Sequence, residues 1–313
     1  MKTSAFITRF APSPTGYLHL GHAFAAQCAF AAAAERGGLC HLRIENTDRT
    51  RCKPAFETAI VADLRWLGFD WPTPIRRQAD HLADYKGALA QLREKGLVYR
   101  CFKTRKEVME DIDRAPHLAL PKRAMGQALT TADPGWPVFT GHPLPNDQEA
   151  ALIAAGKPYA WRLSMARCRD YLGAEWASLF FQEEGTGEAG ERRNGESRTV
   201  QVIADLFGDE IIARKDTHTS YHLACVHDDA LQNITHVVRG KDLFSVTHLH
   251  VLLQRLLGLK TPIYRHHDLL TDETGQQLAK RNQAITLRHL RSEGHSPADI
   301  VDRVNAMLGT SAL

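Results

Sequence analysis

The stretch RFAPSPTGYLHLGH, residues 9–22, decides the fold. Ahead of it, residues 5–10 read as a short strand. Within it, Pro12, Pro14 and Gly16 can continue neither a strand nor a helix, so the chain must turn. Helical character begins near Gly21 and runs to Arg36, where Gly37 and Gly38 end it. Residues 39–44 are apolar enough for a buried strand. Strand, turn, alanine-rich helix, strand is the pattern of a parallel βαβ unit, and the small helix residues predict close packing on the sheet. In an open parallel sheet, ligands bind beyond the carboxyl ends of the strands, at helix N-termini. His19 and His22 fall there, each able to donate to a phosphate oxygen, and Gly21 lacks the Cβ that would hold a purine or ribose away. An anion site for a nucleotide is expected, although the same two histidines also read as plain helix caps.

Outward from this unit, helices are expected over 54–67, opened by Pro54, and over 80–95, where Leu82, Tyr85, Leu89 and Leu92 share a stripe. A strand over 97–101 follows, and Thr104 with Glu107 predicts a capping box for a helix through Asp111. Periodicity fades between Pro116 and Pro158, a span with seven prolines, which reads as a loop-rich insertion containing a strand at 159–163. Residues 182–198 are polar and glycine-rich, a surface loop by composition. Regular pattern returns with a strand at 210–213, a helix at 218–226, a strand at 235–238 and an apolar helix at 245–257. Ser296-Pro297 opens a last helix. The whole reads as an α/β nucleotide-binding core split by an insertion, with a small helical tail.

Composition removes other classes. The 313 residues, 43% hydrophobic and 24% charged, suffice for a sizeable core and exclude collagen-like or wholly disordered chains. No apolar run reaches the roughly 18 residues of a membrane span, and the N-terminus lacks a signal-peptide core, so a cytoplasmic protein is expected. Net charge is +3, with a modest basic region between Arg255 and Arg291 that suits a phosphate-bearing partner or plain solvated surface. The six cysteines are scattered and read as reduced core thiols.

Four segments in order carry a family resemblance. Residues 9–22 resemble the first signature of the class I aminoacyl-tRNA synthetases in its glutamate-specific form. Arg43-Ile44-Glu45-Asn46-Thr47-Asp48 resembles that group's R-I-E-D-T-D, and residues 237–243 (VVRGKDL) its V-[IV]-R-G-x-D-L. Leu278-Ala279-Lys280-Arg281 resembles the second signature, normally K-L-S-K-R. The resemblance implies a Rossmann-like class I catalytic domain with an inserted subdomain and a small helical C-terminal region: 1–115 and 205–260 as the two catalytic halves, 116–204 as the insertion, 261–313 as the second-signature loop and helical end. Only 32 residues follow Arg281, under about 50 Å even if all helical, too little for the anticodon-binding region of a full glutamyl-tRNA synthetase. The chain therefore resembles the short branch of the family, which attaches glutamate to queuosine in the anticodon loop of tRNA(Asp).

Glutamate requires cations for its carboxylates and an anion for its ammonium. By resemblance, Arg9, Ala11, Ser13, Glu45, Tyr221 and Arg239 bind the amino acid; His19, Gly21, His22, Lys280 and Arg281 bind ATP with Mg2+; and His19, His22 and Lys280 carry the chemistry. Without the resemblance, Tyr221 is a core aromatic, and Arg43 with Asp48 an ordinary surface pair. Gln277 and Ala279 depart from the second signature, and losing one cation there is expected to weaken phosphate stabilisation without abolishing it while Lys280 remains. Zinc is not expected: Lys103 stands where a second cysteine of the family's zinc set would be, and no cysteine occurs from 102 to 167. His218, His222 and His227 read as ordinary cleft or surface histidines. RNA contacts are placed only loosely, at Lys122, Arg123 and the 255–291 region. A monomer is expected. Two other readings stay open: a short synthetase charging a tRNA 3′ end, and a non-catalytic glutamate- or nucleotide-binding descendant.

Overall fold

The parallel unit forms where the first motif places it. In the computed structural model, which describes residues 5–114, 138–185, 197–270 and 285–307, β1 (Ile7–Phe10) leads through the proline turn to α1 (Leu20–Glu35) and β2 (Leu39–Ile44). β1 and β2 pair in parallel, from Ile7 opposite Leu39 to Phe10 opposite Leu42. Buried Ala26, Ala29 and Ala33 give α1 a flat face, so the helix lies close to both strands. A Cβ on Gly38 would fall 2.1 Å from the Phe6 carbonyl oxygen, so the return turn needs glycine for close approach.

α2 (Pro54–Trp66) begins with its expected proline and precedes a two-residue strand, β3 (Arg76–Arg77), parallel to β2. Asp63 on α2 is 3% exposed, and its Oδ2 has no hydrogen-bond partner among the described residues. Burial pushes this carboxyl up to about 6, although the nearby charges of Arg291 and Arg288 pull it down. A carboxyl raised in the folded state favours folding while protonated; the contribution is complete below about pH 4 and is lost as pH rises through the folded value. Asp63→Asn is therefore expected to raise stability by about 1–3 kcal/mol at neutral pH and to change little near pH 4, as read by urea unfolding at each pH.

The chain continues through α3 (Leu82–Glu94), β4 (Val98–Cys101) and α4 (Arg105–Arg114), with the expected box between Thr104 and Glu107 in place. Then come α5 (Asn146–Ala154), β5 (Ala160–Leu163), α6 (Met165–Leu172), β6 (Phe180–Glu183), β7 (Arg198–Gln201) and β8 (Ile211–Arg214). α7 (Tyr221–Leu231) starts three residues later than the sequence suggests: His218 takes a left-handed backbone (φ 56°), and Ser220 caps the helix through Leu223 N–H. β9 (His236–Gly240), α8 (Phe244–Leu257), β10 (Ile263–His267), α9 (Leu287–Ser292) and α10 (Pro297–Met307) complete the elements.

Two parallel sheets meet edge to edge. β3, β2 and β1 form one; β9, β10 and β6 form the other, with β7 antiparallel at its far edge. At the seam the Thr235 N–H donates to the Ile7 carbonyl at 2.9 Å, and the Ile7 N–H donates to Thr235 Oγ1 at 2.9 Å. β2 departs from β1 on one side and β9 lies on the other, so the strand order reverses between β1 and β9, where such sheets bind ligands. One apolar cluster joins α1 and α2 to Leu287, Leu290 and Ile300; a second joins α3, α7 and α8. The antiparallel sheet β4-β5-β8 stands apart. β6 and β7 lie within residues 116–204, expected as the insertion, yet both belong to the core sheet; β5, from the same stretch, pairs with strands on either side of it in sequence. Most of 116–158, including Lys122 and Arg123, and the middle of the 182–198 loop lie outside the described residues.

Candidate active site

A cavity of about 410 Å³ opens at the carboxyl ends of β1 and β9. Arg9, Ala11, Ser13, His19, Gly21, His22, Glu45, Tyr221 and Arg239 all line it, although they come from four separated segments. Lys280 and Arg281, with Gln277 and Ala279, lie outside the described residues. The chain on either side of them is anchored here: Leu269 and Leu270 line the cavity, while Thr286 bridges to His19 and the Leu287 N–H donates to the Leu18 carbonyl at 2.8 Å.

The histidines of the first motif are caps and cavity wall at once. His19 is the N-cap of α1; its Nδ1 accepts from the Gly21 N–H at 3.1 Å, and His22 Nδ1 accepts from the His19 N–H at 3.2 Å. This is a capping box built of imidazoles. A neutral ring whose Nδ1 accepts a backbone N–H carries its proton on Nε2, so each histidine is set as an Nε2–H donor.

Beneath the cavity two arginines share one carboxylate. Arg9 Nε donates to Asp229 Oδ1 at 2.9 Å and Arg43 donates to the same oxygen at 2.7 Å. Arg43 also donates to Glu45 Oε1 at 3.2 Å. Burial raises the Glu45 carboxyl, while the charges of Arg43 and Arg9 pull it down. Two cations thus face two carboxylates, and the group is neutral. Arg43 is wholly buried, and Asp48 instead accepts from Thr50 and Arg51; the reading of Arg43 and Asp48 as a surface pair is corrected, because the chain carries Arg43 along β2 into the core.

Arg239 is held differently. Its Nε donates to His266 Nε2 at 3.2 Å, one NH2 group to Thr247 Oγ1 at 2.6 Å, and the other contacts His250 Nδ1 at 3.4 Å. Burial pushes His266 down to about 4 and His250 well below its ordinary value, so both rings are neutral acceptors near pH 7. Among the described residues no carboxylate forms an ion pair with Arg239. It is 6% exposed, at the wall of the cavity, a buried cation whose hydrogen-bond partners among the described residues are all neutral.

Sequence reading missed Asp229, Asp228, Glu183, His250 and His266. The aspartates had a faint signal: Tyr221, Cys225, Asp228 and Asp229 share one face of α7, and acidic residues on an otherwise apolar helical stripe imply buried partners. Asp228 accepts from Arg76 at 2.8 Å, Tyr85 at 2.8 Å and Gln78 at 3.2 Å, which fastens α7 to β3 and α3. The other histidines separate: His222 Nδ1 lies 3.3 Å from His250 Nε2, while His227 contacts Asp228. Among the described residues no group of three or more His, Cys, Asp or Glu is placed to hold a metal ion. Cys101 packs with Tyr99, Val108 and Phe139, and no described helix is long and apolar enough to cross a membrane.

The sequence model for tRNA synthetases class I (E and Q), catalytic domain, matches residues 5–132 and 195–312. The chain belongs to that family. It is a ligase-type catalytic domain with the class I Rossmann-like fold. It is closely related to the glutamyl-Q tRNA(Asp) synthetase of Rhodobacter capsulatus, 44% identical over 94% of this chain and 98% of that protein. It is also similar to the glutamate–tRNA ligase of Aquifex aeolicus, 33% identical over 93% of this chain but only 54% of the ligase. Among solved structures, the glutamate–tRNA synthetase of Elizabethkingia anophelis shares the fold of this synthetase domain, with a TM-score of 0.71 over 96% of this chain and 61% of that one, at 24% identity.

Proposed function

We propose that this synthetase domain activates L-glutamate with ATP and transfers it to the cyclopentenediol ring of queuosine in tRNA(Asp). The observation that carries the glutamate part is Arg239, a buried cation at the cavity wall without a carboxylate of its own among the described residues. A substrate carboxylate completes it with charge-assisted hydrogen bonds. Arg9, already neutralised by Asp229, then shapes and polarises the wall, which refines its expected role as a direct carboxylate partner. Glu45 receives the ammonium, and the added cation offsets the burial that raises its carboxyl. Tyr221, Ala11 and Ser13 complete the amino-acid side.

ATP fits at the start of α1, where His19 and His22 offer Nε2–H donors beside Gly21. Mg2+ supplies positive charge to the polyphosphate when bound; Glu45 and Asp242 are the carboxylates among the described lining residues, and one Glu45 oxygen already accepts from Arg43. Lys280, carried by a segment whose flanks are fastened at the cavity, is assigned the phosphates. A glutamate α-carboxylate oxygen attacks the α-phosphorus, the bond to the bridging oxygen breaks, and pyrophosphate leaves with the electron pair. A queuosine hydroxyl then attacks the activated carbonyl, AMP departs, and the hydroxyl proton passes to solvent. Positioning and charge stabilisation suffice for an electrophile this reactive.

The match along 98% of the R. capsulatus protein supports queuosine as acceptor. ATP–pyrophosphate exchange, expected to depend on glutamate and to need no RNA, tests activation. A lack of exchange whichever amino acid is supplied supports the non-catalytic reading. Transfer is tested by acylating tRNA(Asp) that contains queuosine, tRNA(Asp) that lacks it, and tRNA(Glu). Label on the first alone is expected, and label on tRNA(Glu) overturns the acceptor.

A further inference from the structure

Glu183 and His266 are both fully buried, and neither lines the cavity. Glu183 Oε2 lies 2.6 Å from His266 Nδ1, while Glu183 Oε1 accepts backbone N–H groups from His266 at 2.9 Å and Gly185 at 2.8 Å. On the far side of the ring, His266 Nε2 accepts the Arg239 Nε–H. A guanidinium has no acceptor, so Nε2 must be the bare nitrogen, and the ring proton sits on Nδ1, directed at Glu183. The backbone is pressed together at this point as well: a Cβ on Gly185 would fall 2.1 Å from the His266 carbonyl oxygen and 2.4 Å from its nitrogen.

We propose that Glu183 and His266 form a buried positioning pair that fixes one imidazole tautomer and thereby aims Arg239 into the cavity. The pair extends the amino-acid site inward from β9 across β10 to β6, and the inference rests on Arg239 receiving glutamate. Glu183 sits one ring away from the guanidinium, so it orients the cation without forming an ion pair that would compete with a substrate carboxylate. Thr247 joins the same arrangement, its Oγ1 accepting from Arg239 at 2.6 Å and lying 3.1 Å from His266 Nε2.

Glu183→Gln tests this with almost no change of shape. The amide oxygen must occupy the Oε1 position, where two backbone N–H groups converge, which leaves the amide NH2 facing Nδ1. The imidazole proton then moves to Nε2, where it opposes the Arg239 Nε–H donor to donor. In spectra of 15N-histidine-labelled protein, wild type is expected to show His266 protonated on Nδ1 and E183Q on Nε2. In pyrophosphate exchange, E183Q is expected to raise the KM for glutamate about 10- to 100-fold with the KM for ATP unchanged. His266→Gln places an acceptor near the Nε2 position and is expected to stay within about threefold of wild type for glutamate, whereas His266→Asn lacks it and is expected to resemble E183Q. An Nδ1-protonated ring in E183Q, or equal glutamate KM values for the glutamine and asparagine variants at 266, overturns the proposal. Should E183Q fail to fold, the 266 pair decides. Should wild type show no glutamate-dependent exchange, the functional reading fails, while the tautomer in E183Q still judges the pair.

Discussion

Replacing Asp229 by alanine is expected to cost about 3–5 kcal/mol of stability, the usual effect of breaking a buried ion pair. The carboxylate is 4% exposed and lies between Arg9 and Arg43, with one oxygen accepting from both. Removing it leaves two buried guanidinium groups facing each other, with Glu45 and Asp228 as the nearby anions acting on Arg43. Asp229→Asn keeps the volume and one acceptor and is expected to lose less. The pH dependence carries a second signature. Burial pushes the Asp229 carboxyl up, but the charges of Arg9 and Arg43 outweigh it and hold the group at about 2. A carboxyl depressed in the folded state stabilises the fold above its unfolded value, near 4, and that stabilisation is lost as pH falls through the folded one. Urea unfolding is therefore expected to show a steady gap between wild type and D229N from pH 5 to 8 that narrows below about pH 4.

Arg239→Ala is expected to lower kcat/KM for glutamate by about 10²–10³ or more, the usual cost of truncating one member of a buried charge pair. Arg239→Lys keeps the charge but loses the planar fork that spans Thr247, His250 and His266, so only partial recovery is expected. Stability is expected to move the other way from Asp229: losing a buried cation that lacks a carboxylate removes a desolvation cost, so R239A is expected to unfold at the same urea concentration as wild type or a higher one. Exchange kinetics and urea unfolding on the same preparations check both halves. Equal loss of stability and activity in R239A would place the residue in the scaffold.

The contrast between these arginines explains what the sequence discloses. The β1–turn–α1 unit is legible because prolines, glycines and alanines act through local backbone geometry, which neighbours in sequence determine. The cavity wall is legible through motifs, since residues 9–22, 43–48 and 237–243 each end a strand at the same edge. β10 is not, because IYRHH looks like surface; only the fold shows that its His266 is wrapped by Glu183 and Arg239. For the same reason Arg9 and Arg239 look alike in sequence. What separates them is a partner 220 positions away for one, and the lack of a described carboxylate for the other.

The double duty of His19 and His22 limits what can replace them. Serine, threonine or asparagine would hold the first turn of α1 equally well through a side-chain oxygen, but none would retain a second ring nitrogen on the opposite side of the same group. Because one edge of each ring is committed to the backbone, the outward edge is prevented from swivelling, and its direction is inherited from the axis of the helix. Any drift in how that helix seats on the sheet would be passed directly to those two rings, so the alanine face packed behind it governs their aim as much as it governs folding.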